Sequence, residues 1–142
     1  MAWEGPRYLK DWLSQPLRNR DQRPPEAPGI YIVTENSWTG TPDVNSGVLY
    51  IGQTRYLRDR VGRLVAEILG FTTETRGYSG SYYHSGGPCL WTDYCLKRNA
   101  EPLTLHVGWL LGCKCLNCEE SELIKKFHPI CNSSSGNICN EH

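Results

Sequence analysis

Hydrophobic residues fall into a few short runs separated by polar and glycine-rich stretches, and their periodicity predicts the elements. "GIYIVT" (29–34) and "GVLYIG" (47–52) are β-branched and aromatic and bounded by glycine and polar turns, the pattern of strands. Alternation puts Tyr31 and Val33 on one face of the first, and Val48 and Tyr50 on one face of the second. The link "ENSWTGTPDVNS" is short enough for an antiparallel hairpin, which would turn both tyrosines the same way. "LTLHVGWLL" (103–111) reads as a third strand. Residues 55–69 carry Leu57, Val61, Leu64, Val65 and Ile68 as one stripe of an amphipathic helix. "CEESELIKKFHP" (118–129) reads as a helix stopped by Pro129. Trp3, Tyr8, Leu9, Trp12, Leu13 and Leu17 recur at helical spacing, so residues 3–20 predict another helix.

The other segments are connectors. "RDQRPPEAPG" is a proline-rich link, "PCLWTDYCLKRN" (88–99) a short helix, and "GFTTETRGYSGSYYHSGGP" (70–88) a long loop. The fold class is therefore α/β: a small central sheet of at least three strands, beginning with an antiparallel hairpin and flanked by helices. Residues 1–28 form an N-terminal helix and connector packed on the domain, 29–132 the domain itself, and 133–142 a tail.

Composition narrows the class without changing this picture. The 142 residues suffice for one domain with a real core. Fifteen basic and fifteen acidic residues cancel, so any nucleic-acid surface must be local rather than global. No apolar run approaches the ~20 residues of a membrane span, and "MAWEGPRYLKDWL" lacks the apolar core of a signal peptide. The expectation is a cytoplasmic protein with no membrane partner. Seven cysteines are an odd number, which together with that start argues for reduced thiols over a disulfide framework. "CKCLNC" spaces its cysteines C-x-C-x₂-C, unlike the paired spacing of structural zinc sites, so zinc is the weaker alternative to free thiols.

Two polar features break the apolar pattern. At about 100° per residue, Leu116, Leu123, Ile124 and Phe127 share one side of the last helix, and Glu120 falls in their midst. A carboxylate there is costly unless paired or bound to metal. In the other helix, Arg60 sits at the margin of the apolar stripe, from which a guanidinium can reach back over the sheet. Arg55, Arg58 and Arg63 fit a solvated face with a supporting contact to phosphates.

"GIY" at 29–31 and "YIG" at 50–52, on paired strands, resemble the signature of GIY-YIG nucleases. The likeness extends to Arg60, ten residues after Tyr50, and to "ESELIKKFHPICN" (120–132). That segment is similar to the one ending in Pro-x₂-Asn in excision-repair nucleases of this family, with Glu120 and Asn132 at the matching places. The resemblance implies an endonuclease that hydrolyses phosphodiester bonds in DNA with one divalent cation, Mg²⁺ or Mn²⁺. It implies that Glu120 ligates the metal and that Tyr31 is the general base or positions the attacking water. Arg60 would bind the scissile phosphate, Tyr50 would hydrogen-bond phosphate or water, and Asn132 would support the site. The glycines beside the tyrosines would let substrate or a helix approach the backbone.

The chain departs from the family at two places. Many members carry histidine or tyrosine four residues after the arginine, where this chain has Leu64, and the excision-repair group often has lysine where this chain has Gln53. The glycine-rich loop offers His84 as a substitute proton carrier, and Tyr82, with Tyr78 and Tyr83 beside it, as a surface for stacking on bases. The alternative is a nucleic-acid-binding or adaptor module of the same fold that has lost catalysis. With no room for a separate DNA-reading domain, specificity would come from the chain's own loops, from a partner, or from a homodimer. A dimer suits duplex cleavage and a monomer suits nicking.

Overall fold

The computed structural model describes residues 1–14, 23–70, 89–90 and 101–132. Four strands form one antiparallel sheet: β1 (Ala2–Tyr8), β2 (Gly29–Thr34), β3 (Val48–Thr54) and β4 (His106–Leu111), in the order β1-β4-β2-β3. Helix α1 (Leu9–Ser14) continues from β1, α2 (Leu57–Gly70) follows β3, and α3 (Leu116–Phe127) follows β4. The α/β class and the antiparallel hairpin agree with the sequence pattern, but the sheet does not begin with the hairpin, which is formed by β2 and β3 after β1. Among the described residues, no helix is long and apolar enough to cross a membrane.

β2 lies between β3 and β4, and all six of its residues are buried. Its alternation divides the core in two. Tyr31 and Val33 join Tyr50, Val107 and Trp109 under the Leu57, Val61, Leu64, Val65 and Ile68 stripe of α2. Ile30 and Ile32 join Ile51, Leu110 and Trp38 against Ile124 of α3, with Leu116, Leu123 and Phe127 packed around them. Both apolar stripes read from the sequence are thus used, one on each face of the sheet.

Three expectations need correction. The predicted helix over 3–20 is a strand as far as Tyr8 and a helix only from Leu9. β1 pairs with β4 a hundred residues away, and Trp109 Nε1 donates to Glu4 Oε2 at 3.0 Å. Long-range pairing of this kind overrides the helical spacing of the aromatics, and Gly5 and Pro6 sit where the register shifts, between Glu4 and Arg7. Secondly, Val48 and Tyr50 do not share a face. Val33 pairs with Tyr50 but Thr34 pairs with Val48, so Leu49 is an extra residue that breaks the alternation. Val48 then packs on the α3 side while Tyr50 stays with α2.

Thirdly, the thiols are not all reduced. Cys89 and Cys131 form a disulfide with Cα atoms 5.5 Å apart, and Cys118 is also disulfide-bonded. Pairing depends on where the fold brings the sulfurs, which count and spacing do not reveal. Cys113 is a thiol, half-buried, with its pKa raised by burial and by Glu119. Cys115 N-caps α3, its Sγ accepting the Cys118 N–H at 3.3 Å. That helix starts at Leu116, two residues ahead of the expected place, and ends with His128 in the left-handed conformation (φ 48°), just before Pro129. Apart from Gly70, which ends α2, the predicted 70–88 loop, with His84, Tyr78, Tyr82 and Tyr83, lies outside the described residues, as do nearly all of the predicted 88–99 helix and the 133–142 tail.

The bridge fastens the outer edge of the sheet. Cys131 N–H donates to Leu49 O at 2.9 Å. Asn132 Nδ2 donates to Ile51 O at 2.8 Å, and Asn132 Oδ1 accepts from Ile51 N at 2.9 Å. The residues after α3 thus occupy the hydrogen-bonding groups that the edge strand β3 would otherwise leave open. Cys89 and Cys131 are 42 residues apart, and a crosslink closing a loop of that size is worth about 2–4 kcal/mol. Cys131→Ser is expected to lose that much in equilibrium urea unfolding under non-reducing conditions. A reductant should lower the wild type towards the variant. Equal stability of the two oxidised proteins would show that the bridge carries no load.

Candidate active site at the end of the hairpin

The candidate residues gather where β3 passes Gly52 and Gln53. Tyr31, from the middle of β2, pairs with Gly52 across the hairpin. Its phenol lies over the Gly52 Cα so closely that a β-carbon there would clash with the Tyr31 ring and hydroxyl. The glycine of "YIG" is therefore needed by a tyrosine of the protein itself, not by substrate. Gly29 plays the part expected of it, with the Leu57 side chain of α2 filling the space its own would take.

Tyr50 follows Leu49 on the same side of the sheet, and its ring centroid is 6.0 Å from that of Tyr31. The two tyrosines do face the same way, as the hairpin predicted. Glu120 is buried on α3 and stands against the backbone of Gln53, one residue beyond Gly52. The Gln53 side chain reaches the same helix, where its Nε2 donates to Asn117 Oδ1. Glu119 is only half-buried and Glu122 is exposed, so Glu120 alone of the three turns inward.

These groups act on one another electrostatically. The Tyr31 pKa is driven far above the ordinary phenol value, first by burial and then by Tyr50, with Glu120 adding to the rise and Arg60 opposing it. One hydroxyl therefore feels Tyr50, Arg60 and Glu120 together. Arg60 is half-buried, which suits its place at the margin of the α2 stripe. The Glu120 pKa is also raised, chiefly by burial, while the Gln53 backbone pulls it down.

The remaining candidates separate from this group. Arg58 Nε donates to Pro24 O at 3.0 Å, and Nη1 lies 3.4 Å from Glu26. It fastens the proline-rich connector to α2. Arg63 is exposed and pairs with Asp59 at 3.5 Å, one helical turn away. Arg55 is exposed in the turn before α2. Asn132 supports the strand that carries Tyr50 and Gly52, its side-chain amide accepting from Ile51 N–H and donating to Ile51 O. Leu64 is fully within the core. His84 and Tyr82 fall outside the described residues. Sequence reasoning passed over Asn117 and Tyr56; the latter, just ahead of α2, is a large aromatic left exposed.

Compared with protein-family models, curated proteins and solved structures, the chain matches none.

Two substitutions probe this arrangement. Gly52→Ala is expected to displace the Tyr31 ring and cost about 1–3 kcal/mol of stability, the usual scale of overpacking. Thermal or urea unfolding checks it. Glu120→Gln tests the buried carboxylate through pH. A folded pKa above the unfolded one means that the native state holds the proton more tightly. The stability Glu120 contributes is then full below its unfolded pKa, about 4.3, and is lost as pH rises through the raised value. In chelator, Glu120→Gln should melt above wild type near pH ~7.5, with the gain shrinking towards pH ~4. A gain independent of pH would contradict burial of the charge.

Proposed function

We propose that the chain is a metal-dependent endonuclease of GIY-YIG type that hydrolyses phosphodiester bonds in DNA. The observation that supports this reading is the buried Tyr31 phenol, seated beside Tyr50 with ring centroids 6.0 Å apart and subject to the opposing charges of Arg60 and the buried Glu120. Phosphodiester hydrolysis needs these kinds of group: a cation for the developing phosphate charge, hydroxyls to align water, and an anion to hold a divalent ion.

The donor set fits a hard cation. Glu120 is a carboxylate withdrawn from water, whose burial a positive charge would offset. Among the described residues it is not part of a group of three or more histidine, cysteine or acidic side chains. One protein carboxylate suits Mg²⁺ or Mn²⁺, which retain most of their waters. Such an ion, when bound, supplies Lewis-acid polarisation of the phosphate and a more acidic water.

The chain's own residues divide the remaining work. The water oxygen forms the new bond to phosphorus and gives up a proton, the bond to the leaving sugar oxygen breaks, and that oxygen takes up one proton in turn, so the step balances. Arg60 offers a planar fork to two phosphate oxygens and meets the charge that grows on them. Burial keeps the Tyr31 proton on its Oη, which favours positioning of the attacking water over service as the base. Tyr50, beside it, holds the same water or a phosphate oxygen. Asn132 and the Gln53–Asn117 contact fix the strand and helix between which the site opens.

The deciding experiment incubates the protein with Mg²⁺ or Mn²⁺ and single-stranded, duplex and branched DNA. Wild type is expected to cut, Glu120→Ala not to cut, and Arg60→Ala to cut slower by about 10²–10³-fold, the scale of losing one charge-stabilising group. Equal cutting by wild type and Glu120→Ala would reject the assignment of the acid. Binding without cutting on every substrate would favour the module that has lost catalysis.

A further inference from the structure

Tyr56 is 67% exposed, a large aromatic ring facing solvent at the start of α2. It holds the N-cap position, where Ser, Thr, Asp and Asn are favoured because their side chains accept a backbone N–H. Tyrosine does not fill that role well, and here it does not need to. Leu57 N–H donates to Ala27 O at 3.0 Å and Arg58 N–H to Pro25 O at 3.2 Å, so the proline-rich connector caps the helix from outside. The ring at position 56 therefore serves neither the cap nor the core.

Its backbone is nevertheless firmly set. Tyr56 N–H donates to Thr54 Oγ1 at 3.0 Å, and Tyr56 O accepts the Arg60 N–H at 3.0 Å. That last bond places Tyr56 one turn ahead of Arg60, and residues four apart on a helix share a face. Arg63, a further three residues on, lies on the same face and is exposed. A rigidly mounted aromatic thus stands one turn ahead of the half-buried Arg60, with Arg55 exposed next to it.

We infer that Tyr56 is a stacking platform for an unpaired nucleobase next to the phosphate held by Arg60. The inference rests on the nucleic-acid substrate proposed above and gives it a structure: a single strand, overhang or flap, whose bases have an accessible face. Aromatic rings provide such binding without reading sequence, and flanking arginines neutralise the backbone that brings the base there. In a closed duplex, base faces are already stacked on their neighbours, and the platform has nothing to take up.

The test is binding in chelator, where cutting is silent, measured by fluorescence anisotropy with a short labelled single strand and with a duplex whose two ends are closed by non-nucleotide linkers. Tyr56→Ala should weaken single-strand binding on the order of 10-fold, Tyr56→Trp should restore it, and Tyr56→Leu should not. All should melt like wild type, because the side chain is exposed. Scanning one abasic nucleotide along the strand should find a position that weakens wild type and leaves Tyr56→Ala unchanged. Wild-type affinity for single strand in Tyr56→Ala, full rescue by leucine, or an equal loss on the closed duplex would each overturn the platform. If wild type binds and shows these effects but never cuts, the nuclease reading falls and the platform stands. If wild type cuts and Tyr56→Ala binds as well as it does, the platform falls alone. If wild type binds no DNA at all, both fall.

Discussion

The close seating of the Tyr31 phenol on the Gly52 backbone is the constraint on which fold and site both depend. Tyr31 is a core residue, packed between the hairpin and α2, and also the hydroxyl nearest the candidate chemistry. It serves both ends only because the strand opposite it lacks a side chain at that point. The ring closes the core against water and delivers its oxygen to the end of β3, where Glu120 meets the Gln53 backbone. Burial that stabilises the sheet also keeps the phenol protonated, so core packing sets the chemistry open to the site.

A second constraint concerns the exposed side of β3. Among the described residues the strand has a strand partner on one side only, and two residues past α3 bond to the other. Asn132 uses its side-chain amide as a peptide group would be used, donating and accepting at one residue. Leu49 and Ile51, which receive these bonds, flank Tyr50. The bulge at Leu49, the amide and the Cys89–Cys131 bridge therefore all bear on the position of one tyrosine.

The parts of this arrangement that were legible in the sequence are those written in local periodicity. The hairpin strands, the stripe of α2 and the inward turn of Glu120 follow from spacing within a dozen residues. What was not legible depends on distant partners. β1 reads as helix because nothing near Trp3 or Tyr8 announces a strand at the far end of the chain that will pair with them. Arg58 reads as a surface cation because the carbonyl of Pro24 that takes it up is met only in the folded protein. The bonds of Asn132 to Ile51 escape because sequence places the residue near the site without saying which way its amide points. The Leu49 bulge escaped for the opposite reason: alternation is the rule by which strands are read, and a bulge is its local suspension.

The strand order carries a consequence for how the molecule comes into being. β2 and β3 are neighbours in sequence and in the sheet, so both tyrosines can be brought together by a local hairpin. β1 precedes the hairpin in the chain, yet among the described residues its neighbour in the sheet is β4, the last of the described strands. Glu120 and Asn132 come later still. During synthesis from the N-terminus, the first strand must wait, unpaired, until more than a hundred residues have followed it. The tyrosines stand ready before the arginine, and the arginine before the acid. The acid follows both, so a chain interrupted before α3 lacks one member of the candidate site.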